Sequence, residues 1–249
     1  SAALSQRLNR IFQGAGIPIL EGYGLTETSP VISVNSFKHL KIGTVGHVLS
    51  NLDVKIQEDG EITVKGPSIT QGYYNDEEKT KEAFTEDGYF MTGDIGHIDE
   101  EGFLHITDRK KEMFKTSGGK YVAPQVLENL AKGSKFIEQI MVVGDGEKMP
   151  CALVQPDYAF AKLWAERKHL KIGKTPEEMA NSPELKARIM KDINLLNATL
   201  GKWEQIKKIE LTPTLWTIED GLLTPTMKLK RKAVKEKFFN LYEKLYDRA

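Results

Sequence analysis

Two acid–glycine turns, Asp59-Gly60 and Glu101-Gly102, constrain this chain more than any other feature. The first lies between alternating runs at 51–56 and 61–65, the second between runs at 94–99 and 103–107. An acid followed by glycine between two alternating runs signals a hairpin, because glycine reaches the positive φ that tight turns need. From 45 to 107 the chain is therefore expected to form a small sheet or distorted barrel of short strands. Upstream, Leu4, Leu8, Ile11 and Phe12 make a helical stripe that starts near Ser5 and stops at Gly14 and Gly16, and 17–20 read as a short buried strand. A turn or two of helix is expected over 76–84.

Beyond residue 123 the pattern becomes α+β. Pro124 takes a first-turn position, with Val126, Leu127 and Leu130 on one helix face and Gly133 as the stop. Residues 137–143 and 151–155 read as paired strands. Asp157 caps a helix over 158–168, and Thr175-Pro176-Glu177-Glu178 fits a capping box. A longer helix follows Ser182-Pro183, with Leu185, Ile189, Ile193, Leu196 and Leu200 on one face. A strand at 206–211 and one last helix marked by Val234, Phe238, Leu241 and Leu245 complete the pattern.

Composition excludes several classes. Lys and Arg together number 35, as do Asp and Glu, so no global field favours nucleic acid. The single cysteine, Cys151, rules out an internal disulfide framework and reads as a small buried apolar residue in a reducing compartment. No apolar run nears the roughly 20 residues of a bilayer span, and no signal peptide is visible. The expected location is cytoplasmic, or peripheral at the inner membrane face. His39, His47, His97, His105 and His169 lack metal-ligand spacing and read as structural. Asn197-Ala198-Thr199 is a formal glycosylation sequon inside an expected helix.

Three stretches carry candidate chemistry. In the first, 89–122, Asp94 follows Thr92 and Gly93 in an expected turn, where its two acceptor oxygens suit adjacent hydroxyls such as those of a ribose. Arg109 follows the second strand, and its planar fork suits ribose or phosphate. A polar joint over 110–115 precedes a side-chain-poor turn at Ser117-Gly118-Gly119. No nucleophile is evident. In the second stretch, Gly22, Tyr23, Gly24, Thr26 and Glu27 lie in a loop where a carboxylate and a hydroxyl suit Mg²⁺ and phosphate. In the third, Lys228 lies in a loop that leads into a basic helix, where an ammonium can stabilise charge at an α-phosphate. The bland readings are a solvated acidic loop, a cap, an ordinary turn glycine and a solvated helix face, the last held for Lys230, Lys232, Lys235 and Lys237.

In order along the chain, GYGLTE, TGD, DRKKEMFKTSGGKYVAP and TPTMKLKR resemble the adenylate-forming superfamily of acyl-CoA synthetases, peptide-synthetase adenylation domains and luciferases. The likeness is strongest to long-chain fatty acid–CoA ligases, through TPTMKLKR and the long helical segment over 158–200. The resemblance implies that Tyr23 packs on adenine within an ATP/AMP site that includes Gly22 and Gly24, that Thr26 contacts phosphate, and that Glu27 holds Mg²⁺. It implies that Asp94 binds the AMP ribose with Arg109 in support. Lys111 would be the hinge, Lys228 the lysine of adenylation, and Gly118 part of the coenzyme A channel. Glu128 matches the last acid of a Pro-x-Glu-x-Glu pattern whose first acid is Val126 here, and Thr226-Met227 replaces the commoner Ser-Gly before the lysine.

The implied organisation is the end of a large AMP-binding domain with its β subdomain over 1–110, then a small mobile domain over 111–249. The chain opens SAALSQRL and lacks the family's Ser/Thr/Gly-rich triphosphate loop ending in Pro-Lys-Gly. An upstream domain of the same polypeptide is therefore expected, and the chain alone is expected to be inactive. The implied partners are ATP, coenzyme A and a carboxylic acid, with a long- or medium-chain fatty acid favoured. Two alternatives stand beside this: an adenylation domain that loads a carrier protein, and a non-catalytic interaction fragment that keeps the fold.

Overall fold

The computed structural model describes Leu4 and residues 6–248, so Ser5 lies outside the described residues. The chain divides into two compact units, Leu4–Glu112 and a second that begins at Met113. The sequence places this division two residues earlier, after 110.

The first unit opens with α1 (Gln6–Gly14), and Gly16 at φ +76° follows it. Its apolar stripe turns outward: Leu8, Ile11 and Phe12 are exposed, whereas Asn9 is buried and its Nδ2 donates to Glu21 Oε1 at 2.8 Å. The expected strand over 17–20 does not form; the backbone there pairs with no strand among the described residues, and Ile17 is exposed. Pairing begins with β1 (Gly22–Tyr23), which forms a small antiparallel sheet with β2 (Ser33–Val34) and β3 (His47–Val48).

Both expected hairpins form. Strands β4 (Asp53–Ile56) and β5 (Glu61–Lys65) join through Gly60 at φ +85°, and α2 (Glu77–Glu82), capped by Asp76, follows them. Strands β6 (Phe90–Ile98) and β7 (Leu104–Arg109) join through Gly102 at φ +84°. The sheet runs β4-β5-β6-β7 and is antiparallel throughout. Val45 N–H donates to Leu104 O and Leu104 N–H to Gly46 O, both at 2.9 Å, which ties the approach to β3 onto β7 and curls the sheet into a half-barrel. Strand β5 departs from alternation: Glu61 and Thr63 are as buried as Ile62 and Val64, because β5 is flanked on both edges. Ile32, Val64 and Phe90 centre the core, with Tyr23 and Leu25 packed against them.

The second unit begins with a hairpin of β8 (Phe114–Lys115) and β9 (Tyr121–Val122), then α3 (Pro124–Ala131). Strands β10 (Ile137–Val143) and β11 (Cys151–Pro156) pair antiparallel. After α4 (Tyr158–Lys168), α5 (Pro176–Ala180) and α6 (Pro183–Asn197), β12 (Ile209–Leu211) adds parallel to β11. Asp157, Thr175 and Ser182 cap their helices through the expected side-chain bonds. The sheet is covered on both faces, which is why β10 and β11 read as continuous apolar runs. Ile140, Val142, Ala152 and Val154 face a core with α3, α4 and α6, whereas Met141, Val143, Cys151 and Leu153 face Trp216, Leu222, Leu223 and the C-terminal helices.

Three expectations change here. The expected last helix is two, α7 (Arg231–Lys237) and α8 (Phe239–Leu245), separated at Phe238, whose φ of −111° lies outside the helical basin. The buried stripe of α3 is Pro124, Leu127, Glu128 and Ala131, with Leu130 exposed, so a charged residue holds a core position that an apolar reading assigns to a leucine. The strand expected over 206–211 is regular only over Ile209–Leu211, although Lys207 N–H already donates to Pro150 O at 2.9 Å.

The sequon asparagine is structural. Asn197 is buried, its Nδ2 donates to Ile206 O at 2.8 Å, and its Oδ1 accepts Ile206 N–H at 2.9 Å. Asn197→Ala strands both backbone groups of a buried residue and should cost about 2–4 kcal/mol. Chemical denaturation of the chain measures this, and a loss below about 1 kcal/mol would contradict the role.

Candidate functional site

Asp94 lies inside β6, not in a turn. Gly93 takes φ +71° and the β5–β6 register slips between Glu61 and Thr63, so the strand bulges instead of ending. Glu61 Oε1 accepts the Gly93 N–H at 2.9 Å, and Glu61 Oε2 pairs with Lys110 Nζ at 2.7 Å, which pins the bulge from the neighbouring strand and from the chain just beyond β7. Arg109 likewise belongs to β7 as its last residue, directly opposite Asp94 in register. Extended pairing through the bulge places the two side chains together.

The Asp94 carboxylate is buried and held at both oxygens. Tyr23 Oη donates to Oδ2 at 2.7 Å, and Arg109 Nε pairs with Oδ1 at 2.9 Å. Burial, and then the charge of Asp94, push the Tyr23 hydroxyl well above its ordinary range, so it remains a donor. Each carboxylate oxygen has two lone pairs, and a carboxylate oriented in this way has the acceptor geometry for vicinal hydroxyls. Tyr23, Asp94 and Arg109, far apart in sequence, thus meet at one point. Sequence reasoning assigns Tyr23 to adenine and does not foresee its bond to Asp94.

Gly22 and Gly24 flank Tyr23. A Cβ on Gly24 would stand 1.7 Å from Pro30 O, so only glycine lets the loop double back here. Thr26 and Glu27 follow in a 3₁₀ turn (Thr26–Thr28), which buried Thr28 ties down by accepting the Leu25 N–H at 2.9 Å. Thr26 is exposed and Glu27 half-buried. Tyr73, unmarked in the sequence reading, donates its hydroxyl to Glu27 Oε1 at 3.1 Å, and Thr70 N–H donates to Glu27 O at 2.7 Å. A carboxylate oriented in this way, with capacity left on it, fits a Mg²⁺ ion shared with phosphate oxygens. Among the described residues no cluster of three or more His, Cys, Asp or Glu side chains forms a metal site.

Lys111 is exposed in the turn after β7, one residue beyond Lys110, which donates its N–H to Gly93 O at 2.9 Å. In the second unit, Gly118 is exposed in the β8–β9 loop. Its φ is not in the left-handed range and a Cβ there would come no nearer than 4.0 Å to Thr116 Oγ1, whereas Gly119 has φ +79°. The turn therefore needs glycine at 119 and not at 118.

Lys228 is exposed at the end of a three-residue hairpin loop. Met227 N–H donates to Thr224 O, and Thr224 N–H to Lys228 O, both at 2.8 Å, with Pro225 at the favoured corner and Met227 left-handed at φ +61°. Residues 222 and 223, behind the loop, are buried leucines. Of the following basic residues, Lys232 is a solvated face, as expected, and Lys237 pairs with Asp220 at 3.3 Å.

Glu128 is a buried charged residue of the second unit. Arg231 Nη1 donates to its Oε1 and Oε2 at 2.8 and 3.1 Å, and Val142 N–H donates to Oε1 at 2.7 Å. Burial is the larger effect and pushes the carboxyl up to about 7; the Arg231 charge and the Val142 N–H pull it down without offsetting this. The histidines of the half-barrel pack with one another and with their neighbours: His97 stacks on His105 at 4.6 Å, and His105 Nε2 lies 2.9 Å from Asp99 Oδ2.

Residues 1–74 match the family model described as AMP-binding enzyme, and 112–249 match its C-terminal domain. The chain is 42% identical over 247 residues to a long-chain-fatty-acid–CoA ligase, FadD15, of Mycobacterium bovis, covering 99% of this chain and 41% of that protein. It is 38% identical to long-chain-fatty-acid–CoA ligase 6 of Rattus norvegicus, over 93% of this chain and 35% of that one. The crystal structure of the adenylation domain of a carboxylate reductase from Mycobacterium chelonae superposes with a TM-score of 0.76 at 25% identity, over 99% of this chain and 38% of that one. The chain thus spans about two fifths of the length of these relatives.

Two outcomes test this geometry. Gly24→Ala should lower stability by about 1–3 kcal/mol through overpacking, whereas Gly118→Ala should leave the melting temperature unchanged; equal effects would contradict a close approach at Gly24 and open space at Gly118. Because the folded Glu128 pKa lies above its ordinary 4.5, its contribution is complete below about 4.5 and is lost as pH rises through about 7. Wild type should therefore lose about 1–3 kcal/mol between pH 5 and 8 that Glu128→Gln does not lose, measured by urea unfolding at each pH.

Proposed function

We propose, from the premise that the chain belongs to the AMP-binding enzyme family, that it is the C-terminal portion of an ATP-dependent fatty acid–CoA ligase. The reading rests above all on the Asp94 carboxylate, buried and oriented by Tyr23 and Arg109, whose paired acceptor oxygens suit a ribose diol. The names of the long-chain relatives support a long-chain fatty acid as substrate and coenzyme A as acceptor. A cytoplasmic location, or one at the membrane surface where fatty acids partition, goes with that substrate. No helix among the described residues is long and apolar enough to cross a membrane.

In this reading residues 1–110 complete a large nucleotide-binding domain and 111–249 form the small mobile one. A fatty acid carboxylate oxygen attacks the α-phosphorus of ATP, the bond to the β-phosphate breaks, and pyrophosphate leaves with the electron pair. Lys228 stabilises the charge that develops there, and Thr26 binds phosphate. Glu27 would hold Mg²⁺, which supplies charge neutralisation on the phosphates when bound. The small domain then rotates about Lys111, withdrawing Lys228 and bringing in the Gly118 turn. The thiol sulfur of coenzyme A attacks the acyl carbonyl and AMP leaves, giving the thioester. Gly118 supports the second step because neither its φ nor its packing explains a glycine, whereas a thin pantetheine arm passing close to backbone does.

The test measures the two half-reactions separately in the full-length protein. Lys228→Ala should lose pyrophosphate release by about 10²-fold or more and still convert supplied acyl-adenylate and coenzyme A to thioester. Gly118→Leu should do the reverse, and Lys111→Pro should resemble it because a fixed φ hinders the hinge. Asp94→Ala should impair both steps and raise the KM for ATP. Equal damage to both steps by Lys228→Ala would end the alternation model for this protein.

A further inference from the structure

The hairpin that carries Lys228 is fixed at both of its ends. Before it, Leu222 and Leu223 are buried under β10 and β11, and Lys230 N–H donates to Leu222 O at 2.9 Å to close the base. After it, only three residues beyond Lys228, Arg231 begins α7 and directs its guanidinium into the domain. Nη1 donates to both carboxylate oxygens of Glu128 on α3, at 2.8 and 3.1 Å, and Nη2 donates to the Val142 carbonyl on β10 at 2.6 Å. Glu128 in turn accepts the Val142 N–H at 2.7 Å, so the carboxylate, the guanidinium and one residue of β10 form a closed set. A planar fork can reach a carboxylate and a carbonyl at once; an ammonium cannot do so in this geometry.

The loop so held is not at ease. Met227, next to Lys228, has a left-handed backbone at φ +61°, where a residue with a side chain is disfavoured. Such a conformation persists only where its surroundings over-determine it. The surroundings here are the buried leucine pair on one side and the Arg231 lock on the other. Lys228 is itself exposed, so its approach to a substrate depends on where this turn holds its backbone.

We propose that Arg231, locked by Glu128 and Val142, is a positioning residue for adenylation: it fixes the hairpin that presents Lys228 to the α-phosphate. It touches no substrate and takes no part in bond making. The inference rests on the reading of Lys228 given above. A displacement of about 1 Å in a group that stabilises charge is enough to cost on the order of 10²-fold in rate.

The experiment compares Arg231→Met, Arg231→Lys, Lys228→Ala and, as control, Lys232→Met in the full-length protein. Arg231→Met should slow pyrophosphate release by about 10- to 100-fold in kcat, with the KM for ATP little changed and thioester formation from supplied adenylate preserved. Arg231→Lys should recover only part of the loss, and Lys232→Met should change neither step. Hydrogen exchange should quicken at the Met227, Lys228 and Lys230 amides in Arg231→Met, while the amides of β11 stay protected. In Arg231→Met/Glu128→Met the second change should add little to the first, as for two parts of one lock. Normal adenylation in Arg231→Met beside a defective Lys228→Ala would overturn the positioning role and leave the Lys228 reading intact. Normal adenylation in Lys228→Ala would overturn both. Equal slowing of both half-reactions by Arg231→Met, with a lower melting temperature, would make Arg231 merely structural and also overturn the proposal.

Discussion

A carboxylate enclosed in a β-sheet must be neutralised and hydrogen-bonded where it stands, or the fold discards it by protonation or by turning it outward. Asp94 meets that demand through Arg109, its register partner on β7, and Tyr23, delivered by β1 of the small three-stranded sheet 71 residues upstream. Much of the first unit follows from this requirement. The Gly93 bulge turns the strand at the residue before Asp94; Glu61, the buried first residue of β5, holds the bulge, and Lys110 closes the arrangement. The curl of the sheet brings polar side chains to one place, and the burial around them makes each hydrogen bond count for more than it would in water.

The second unit solves a different problem with the same device. Its three-stranded sheet is buried on both faces, so its stability comes from two apolar cores and leaves the loops free to differ. The Gly118 turn and the Lys228 hairpin both belong to this unit, and each is held by backbone bonds of its own: Gly119 N–H to Thr116 O at 2.8 Å in the first, Thr224 and Lys228 in the second. A rigid body with two preformed loops suits a domain that presents each in turn, because neither loop has to be rebuilt when the other is in use. The buried Glu128–Arg231 pair belongs to that rigidity. As stabilisation it is expensive; what it supplies is a fixed relation between α3, β10 and the start of α7.

Most of this architecture was legible in the sequence, and the exceptions have physical causes. Hairpins, caps and the two strand pairs of the cores could be read because their signals are local: an acid–glycine turn, a Ser, Thr or Asp before a helix, an apolar run. The stripe of α3 could not be read, because Glu128 is buried by an arginine 103 residues away while Leu130 remains exposed. Asp94 reads both as a turn residue and as the start of the run at 94–99, since Thr-Gly-Asp looks like a turn until Gly93 is seen to bulge, and Arg109 reads as following the strand that it ends. The run at 17–20 has strand composition, yet pairing needs a neighbour, and none lies beside it among the described residues. At the candidate site, the residue types suggest a chemistry through their motifs, whereas the supporting partners, Tyr73, Glu61 and Arg231, carry no signal because each acts through a long-range contact.

Met227 shows how a departure from a family pattern acquires a physical meaning. Where Ser-Gly commonly precedes the lysine, this chain has Thr226-Met227, and the backbone at 227 is left-handed all the same. Glycine would adopt that conformation without strain but would leave the unfolded and loosened states with more freedom. A methionine costs about 1 kcal/mol or more there and narrows the alternatives. The hydroxyl of Thr224 helps to bear that cost: it accepts the Lys228 N–H at 3.0 Å and lies 3.0 Å from Thr226 Oγ1. The left-handed turn before Lys228 is thus held without glycine by the Thr224 hydroxyl and backbone, with the Arg231 lock behind it.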